Sequence, residues 1–330
     1  MTPRARRYGE RVRAMVYERY GGPEVLTLRE VPTPIPSRGE VLVEVVATSV
    51  NLSDWEGLRG SPGYSRFGGL IRPARHTLGS DIAGRIVAIG EGVSRFVVGD
   101  EVFGDNLTRK GGFAEYAVAP ESALTHKPKE LSFAEASTIP QAGAIASQAV
   151  ALAVPGSRML INGAGGGSGS FMVQLASAKG VHVTAVDNAG KQDFLRVLGA
   201  DATLDYRRDD FTRTGPYDLI VDLVASRSIF AFRRALAKGG RCVVVGGTGR
   251  AVLRMVTVGW LLGVLTRAHL GLLIVRQGPA GFASAARSCA SGDLGIHIDR
   301  VFSLSEVPAA LAWHGEGRAR GKVVVAVREG

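Results

Sequence analysis

The sequence predicts an α/β protein in which a doubly wound parallel sheet is inserted into a mostly antiparallel β domain. Three observations predict it. The apolar run Met159–Asn162 ends in a glycine-dense turn, Gly163–Gly169, that opens a helical stretch, Ser170–Gly180. Around it, short β-branched runs alternate with helical patterns, as a parallel sheet covered on both faces requires. Before residue 132 the chain instead reads as strands and turns, and a lone strand pattern near the end, Lys322–Val327, has no local partner.

Taken in order, Val12–Tyr17, Leu26–Glu30 and Val41–Ala47 carry strand patterns, separated by Gly21-Gly22-Pro23 and by Pro32, Pro34, Pro36 and Gly39. Ile82–Ile89, Glu101–Phe103 and Phe113–Val118 continue the β region, punctuated by Gly90-Glu91-Gly92 and Gly99-Asp100. Phe133–Gln148 reads as a helix. The buried strands Leu160–Asn162, His182–Val186, Leu219–Asp222 and Arg241–Val245 follow. Val307–Trp313 is expected as a helix, and Lys322–Val327 as a strand that returns to the β domain. The expected divisions are 1–138 with a loose tail over 1–12, then 139–290 for the parallel sheet, then 291–330 for the return.

The glycine turn carries the chemistry. There the chain must turn sharply, the backbone must come close to a bound pyrophosphate, and the helix must pack tightly on its strand. Gly163, Gly165, Gly166, Gly167, Ser168 and Gly169 supply that turn, and the amides of the following helix face the anion. The next strand ends in Asp187, 18 residues after Gly169, where a dinucleotide fold grips ribose hydroxyls. No Gly-Lys-Ser/Thr follows the turn, so a Walker-type phosphate loop is excluded, and Ser168 lacks the G-x-S-x-G frame of a hydrolase elbow.

Composition bounds the rest. At 330 residues the chain can bury two cores. The net charge of +10 rests on 33 arginines against seven lysines, densest at Arg4, Arg6, Arg7, Arg11 and Arg13. We read this as a solvated surface and tail; nucleic acid is not the expected partner. Cys242 and Cys289 sit among apolar residues as buried thiols, which fits a reducing, cytoplasmic compartment. Val252–Leu265 is strongly apolar but carries Arg254 and is too short to span a bilayer, so a packed helix or subunit contact is expected.

Ser37–Val43, Val50-Asn51-Leu52-Ser53-Asp54, Leu78–Gly84, Val98–Val102 and Gly111–Tyr116, with the Gly163–Gly169 turn, Leu198–Asp201, Asp205-Tyr206 and Gly321–Val324, resemble the medium-chain dehydrogenase/reductase superfamily. The nearest branch is the zinc-independent quinone oxidoreductase-like group. The resemblance implies a Rossmann-type domain inserted in a GroES-like catalytic domain, a homodimer through Val252–Val275, and NADP(H) or NAD(H) as cofactor. Zinc-dependent relatives carry Gly-His-Glu where this chain has Gly79-Ser80-Asp81, and a ligating cysteine early in the chain. Here no cysteine precedes Cys242, and His76 lacks partners at ligand spacing, so no zinc is expected.

What the resemblance implies about single residues is specific. Asn51 falls beside the nicotinamide, where its amide would bond cofactor or acceptor oxygen; the competing reading is a turn residue bonding its own backbone. Asp54 either anchors that loop or holds a proton relay. Tyr64 would stabilise an oxyanion or return a proton, or else is an exposed loop tyrosine. Lys191 and Tyr206 match positions that hold an NADPH 2′-phosphate, Asp187 suits the free hydroxyls of NADH, and Asn188, Gly246 and Gly247 complete the cofactor set. Ile145 replaces the usual threonine near the carboxamide, a contact that Gln141 or backbone would take over. The expected activity is hydride transfer from NAD(P)H to a quinone or α,β-unsaturated carbonyl. The alternatives are an alcohol dehydrogenase and a crystallin-like, RNA-binding protein with little turnover.

Overall fold

In the computed structural model, residues 10–66 and 69–328 are described. They form two compact units, one of Met1–Gln141 with Gln277–Gly330 and one of Ala142–Arg276.

In the first unit, strands β1 (Arg11–Val16) and β2 (Thr27–Pro32) form an antiparallel pair. Arg11, placed in the tail from sequence, is a strand residue opposite Pro32. Arg4, Arg6 and Arg7 lie outside the described residues. The larger sheet uses β3 (Glu40–Ser49), β4 (Asp81–Ile89), β5 (Glu101–Asp105), β6 (Tyr116–Pro120) and β7 (Leu124–His126), all paired antiparallel. Helix α1 (Leu52–Arg59) follows β3 directly. The expected helix over Phe133–Gln148 is two helices, α2 (Phe133–Thr138) and α3 (Pro140–Ala151). Pro140 lacks the amide that would continue α2 and instead starts α3.

The second unit carries β8 (Arg158–Asn162), α4 (Gly167–Ala178), β9 (His182–Asp187), α5 (Gln192–Val197), β10 (Ala202–Asp205), β11 (Tyr217–Asp222), α6 (Ile229–Ala235) and β12 (Leu236–Val244). Then come α7 (Gly249–Arg254), a π turn over Met255–Gly259, α8 (Trp260–Thr266) and β13 (His269–Leu272). Strand order is β10-β9-β8-β11-β12-β13, every pairing parallel. That is the 3-2-1-4-5-6 order of a doubly wound sheet, with its switch point between β8 and β11. Its core gathers Leu160, Ile220, Phe232 and Cys242, all buried, and burial pushes the Cys242 thiol upward.

The apolar Val252–Leu265 stretch does not pack as one helix. Met255 is buried, but Leu253, Val256, Val258 and Leu265 are exposed. No helix among the described residues is long and apolar enough to cross a membrane.

The chain then re-enters the first unit through α9 (Pro279–Ser291), whose Phe282 meets the Phe103 ring at 5.4 Å. Strand β14 (Ile298–Ser303), helix α10 (Val307–Gly315) and strand β15 (Lys322–Ala326) complete it. The terminal strand finds its partner at the far end of the sequence: β15 runs antiparallel to β3, with Val324 opposite Ser49. Valines 41, 43, 45, 323 and 325 are buried in one core, each contributing roughly 1.5–3 kcal/mol by leaving water.

Candidate active site

In the second unit, β8 ends at Asn162 and Gly163 takes a φ of +84°, which L side chains rarely adopt. The Gly163 and Ala164 amides donate to Val186 O at 3.0 and 3.1 Å, so the turn is fastened to the end of β9. Gly166 caps α4, leaving Gly167, Ser168 and Gly169 in its first turn with amides free for an anion. A Cβ at Gly169 would run into the carbonyl oxygens of Gly163 and Ala164.

Asp187 is buried and bonded within the protein. Its Oδ2 accepts from Gly165 N at 2.9 Å, its Oδ1 from Asn188 N and Nδ2 at 2.8 and 3.0 Å, and Lys191 Nζ stands 3.4 Å from Oδ1. Tyr206 joins this group through its amide, which donates to Asp187 O, while its ring is exposed and Arg207 lies over it at 5.5 Å. Across the switch point Asn162 Nδ2 donates to Asp222 Oδ1 at 2.8 Å, and the other Asp222 oxygen has no hydrogen-bond partner among the described residues. Burial raises the Asp222 carboxyl above its ordinary range. Gly246 and Gly247 follow β12 with φ of +72° and +104°. The turn thus brings Asp187, Asn188, Lys191 and Tyr206 together, with a glycine cradle and helix amides that suit a dinucleotide.

In the first unit, Asn51 follows β3 by two residues and caps α1. Its amide nitrogen donates to Asp54 Oδ2 at 3.1 Å, and Asp54 Oδ1 accepts from Gly79 N at 3.1 Å. Asp54 therefore ties the α1 start to the Gly79-Ser80 loop. The Asn51 side chain turns elsewhere: Oδ1 accepts from Lys322 Nζ at 2.7 Å, and Nδ2 donates to Ser80 Oγ at 3.2 Å. Lys322 also stands 3.6 Å from Asp81 Oδ2, which accepts from Ser49 Oγ at 3.3 Å and from the Gln141 amide. Gln141 Nε2 reaches Ser80 Oγ at 3.1 Å and Asp105 Oδ1 at 3.3 Å.

Burial pushes the Asp81 carboxyl upward against the pull of Lys322, and pushes Asp105 up to about 6 against the Gln141 bond. Burial likewise lowers the Lys322 ammonium, while Asp81, Asp54 and Asp105 favour its charged form. Tyr64 is exposed, its hydroxyl 3.5 Å from Glu56 Oε1 on α1. Burial raises Glu56 to about 7 and, with the Glu56 charge, Tyr64 to about 12.

Comparison with known proteins decides the family. Residues 37–129 match the alcohol dehydrogenase GroES-like domain, and residues 198–325 match a family described as zinc-binding dehydrogenase. The chloroplastic quinone-oxidoreductase QR1 of Triphysaria versicolor is 32% identical, over 96% of this chain and 99% of its own length. The chain belongs to the medium-chain dehydrogenases/reductases, in their quinone oxidoreductase-like branch. Human quinone oxidoreductase is 32% identical over 72% of the chain and 74% of its own length. Tomato 2-methylene-furan-3-one reductase is 30% identical over 95% of the chain and 79% of its own length. The structure of the Coxiella burnetii quinone oxidoreductase superposes with a TM-score of 0.87 at 28% identity, covering 97% of this chain and all of that one.

As a medium-chain dehydrogenase/reductase the protein is an oxidoreductase that works with a nicotinamide dinucleotide. The family description also implies zinc, and the first unit can be tested for it. Zinc takes three or four thiolate, imidazole or carboxylate ligands. Among the described residues no three His, Cys, Asp or Glu side chains converge as a metal cluster. At Asn51 and Ser80 the site offers an amide and a hydroxyl, with the Lys322 cation 2.7 Å from the amide oxygen. Those residues do not fit the metal.

Two participants escaped the sequence reading. Lys322 is visible there only as part of Gly321-Lys322, and Asp105 carries no local signal. A lysine opening an apolar β-branched strand was the available hint, because such a lysine is buried only with a partner.

Proposed function

We propose that the protein transfers hydride from NADPH to a quinone or an α,β-unsaturated carbonyl without zinc. The observation that carries this reading is the Lys322–Asn51–Ser80 chain, which supplies a cation, an amide and a hydroxyl, donors that suit a polarised carbonyl and not a metal ion. When bound, the reduced nicotinamide supplies the hydride. A conjugated acceptor spreads the resulting negative charge, so amide polarisation suffices where an isolated carbonyl would need a Lewis acid. Asn51 Nδ2 would donate to the acceptor oxygen. Tyr64 or solvent would return the proton, and Asp54 would keep the Asn51 loop on the Gly79-Ser80 turn.

The preference for NADPH rests on charge. Lys191 stands against Asp187, whose oxygens are already committed to Gly165 and Asn188, and Arg207 with the exposed Arg208 adds cations beside Tyr206. The exposed apolar side chains of Leu253, Val256, Leu265 and Ile274, next to edge strand β13, support a homodimer through that face.

The test is oxidation of NADPH by a quinone and by an enone, before and after dialysis against a strong chelator. Turnover of at least one acceptor, unchanged by chelation, is expected. Turnover that disappears on chelation and returns with zinc, or no turnover of either acceptor, overturns the proposal.

A further inference from the structure

We infer that Lys322 is a positioning residue for Asn51: it fixes which end of the Asn51 amide faces the acceptor and strengthens that amide as a donor. The inference rests on the proposed role of Asn51. It begins with strand register. The β15–β3 ladder pairs Val324 with Ser49 and Val325 with Thr48, and the Val50 amide continues it by donating to Val323 O at 2.9 Å. One step further, Lys322 lies across from Asn51, so the two ends of the chain bring these side chains together.

An ammonium only donates. With Nζ 2.7 Å from Asn51 Oδ1, a flipped amide would set NH2 against a cation and lose the bond, so Nδ2 is held toward Ser80. One Nδ2 proton goes to Ser80 Oγ at 3.2 Å, and the second, which the Asp81 carboxylate also attracts, would turn to an acceptor oxygen. The cation on the carbonyl oxygen also draws electron density from the amide nitrogen, which makes its N–H a better donor, an effect strengthened by burial. Lys322 is itself fixed: its side chain is 3% exposed, and Asp81 beside it is held by Ser49 and the Gln141 backbone. The charged groups facing this cluster are Asp81, Asp54 and Asp105, with Lys110 3.8 Å from Asp54.

The experiment is a double-mutant cycle in the full-length protein, with NADPH and the better of a quinone and an enone. K322M keeps the stem and removes the cation, and N51A removes the amide. K322M is expected to lower kcat roughly 10- to 100-fold, with the NADPH dissociation constant unchanged. In the N51A background, K322M should cost no further activity. Equal losses in both backgrounds, or a K322M kcat within a factor of two of the parent, overturn the inference.

D81N keeps the test open if K322M does not fold. Without that carboxylate the ammonium loses its proton more easily, so the alkaline limb of the kcat–pH profile should move to lower pH. An unmoved limb overturns the inference. The reading of Asn51 fails separately, by N51A retaining full activity with every acceptor. A failure of the Lys322 inference alone leaves N51A impaired.

Discussion

Asp187 stands where a dinucleotide fold commonly presents a carboxylate to ribose, yet both its oxygens are engaged within the protein. Gly165 N, Asn188 and Lys191 surround it, so its first effect is to hold the glycine turn and to position a cation. Replacing it separates these roles. In Asp187→Ser the turn loses the Gly165 bond, which weakens both dinucleotides, but Lys191 is released from its partner and can meet a 2′-phosphate. NADH should lose about tenfold in affinity, one charge-assisted bond's worth, and NADPH distinctly less. Fluorescence titration with each cofactor reads the difference. Equal losses would mean that Lys191 does not reach the phosphate, and unchanged affinities would remove Asp187 from the cofactor site altogether.

At the scale of elements, the parts with a local signature were legible. The glycine turn, helix α4, strand β9 and its terminal acid announce themselves within 29 residues, from Met159 to Asp187, because each depends on neighbours in the chain. The return of β15 was legible for a different reason: a β-branched run with nothing nearby to pair with must pair far away. The Lys322–Asn51 contact was not, since it depends on a register between strands at opposite ends of the sequence. The Val252–Leu265 stretch, expected as a packed helix or a subunit contact, was legible only as apolar. Hydrophobicity on all sides of a segment predicts burial, but here α7, the π turn and α8 leave Leu253, Val256, Val258 and Leu265 exposed in the single chain. Strand β13 beside them is short, contains Gly271 and, among the described residues, pairs only with β12 in the sheet. If this face is the dimer contact, Leu265→Lys with Ile274→Lys should bury two charges there, at several kcal/mol in total. Sedimentation should then show a dimer become a monomer, with the far-ultraviolet spectrum retained. An unchanged dimer would place the contact elsewhere, and a monomeric parent would remove the homodimer.

For the whole molecule, the buried carboxyls set how stability responds to pH. Burial raises Asp105 to about 6 and Glu56 to about 7, and raises Asp81 and Asp222 as well. A carboxyl whose folded value lies above its unfolded one binds its proton more tightly in the folded state. Its contribution is therefore full below about pH 4 and is lost as pH rises through 6 to 7. For Asp105 that rise corresponds to about 3 kcal/mol as an upper bound. The net charge of +10 works in the opposite sense, because lowering the pH adds positive charge and self-repulsion. The two effects differ in their response to salt. Exposed arginines about 10 Å apart are screened at physiological ionic strength, whereas buried carboxyls are not. At 0.15 M salt the unfolding free energy should fall between pH 5 and pH 8, and raising the salt to 1 M should leave that fall in place. Asp105→Asn removes one titrating group and keeps the shape, so it should flatten the slope by about 1 kcal/mol over that range. Urea unfolding of both proteins at the two pH values measures it. A slope that Asp105→Asn leaves unchanged would assign the pH response to groups other than Asp105, and a stability that rises from pH 5 to pH 8 would mean that surface charge outweighs the buried acids.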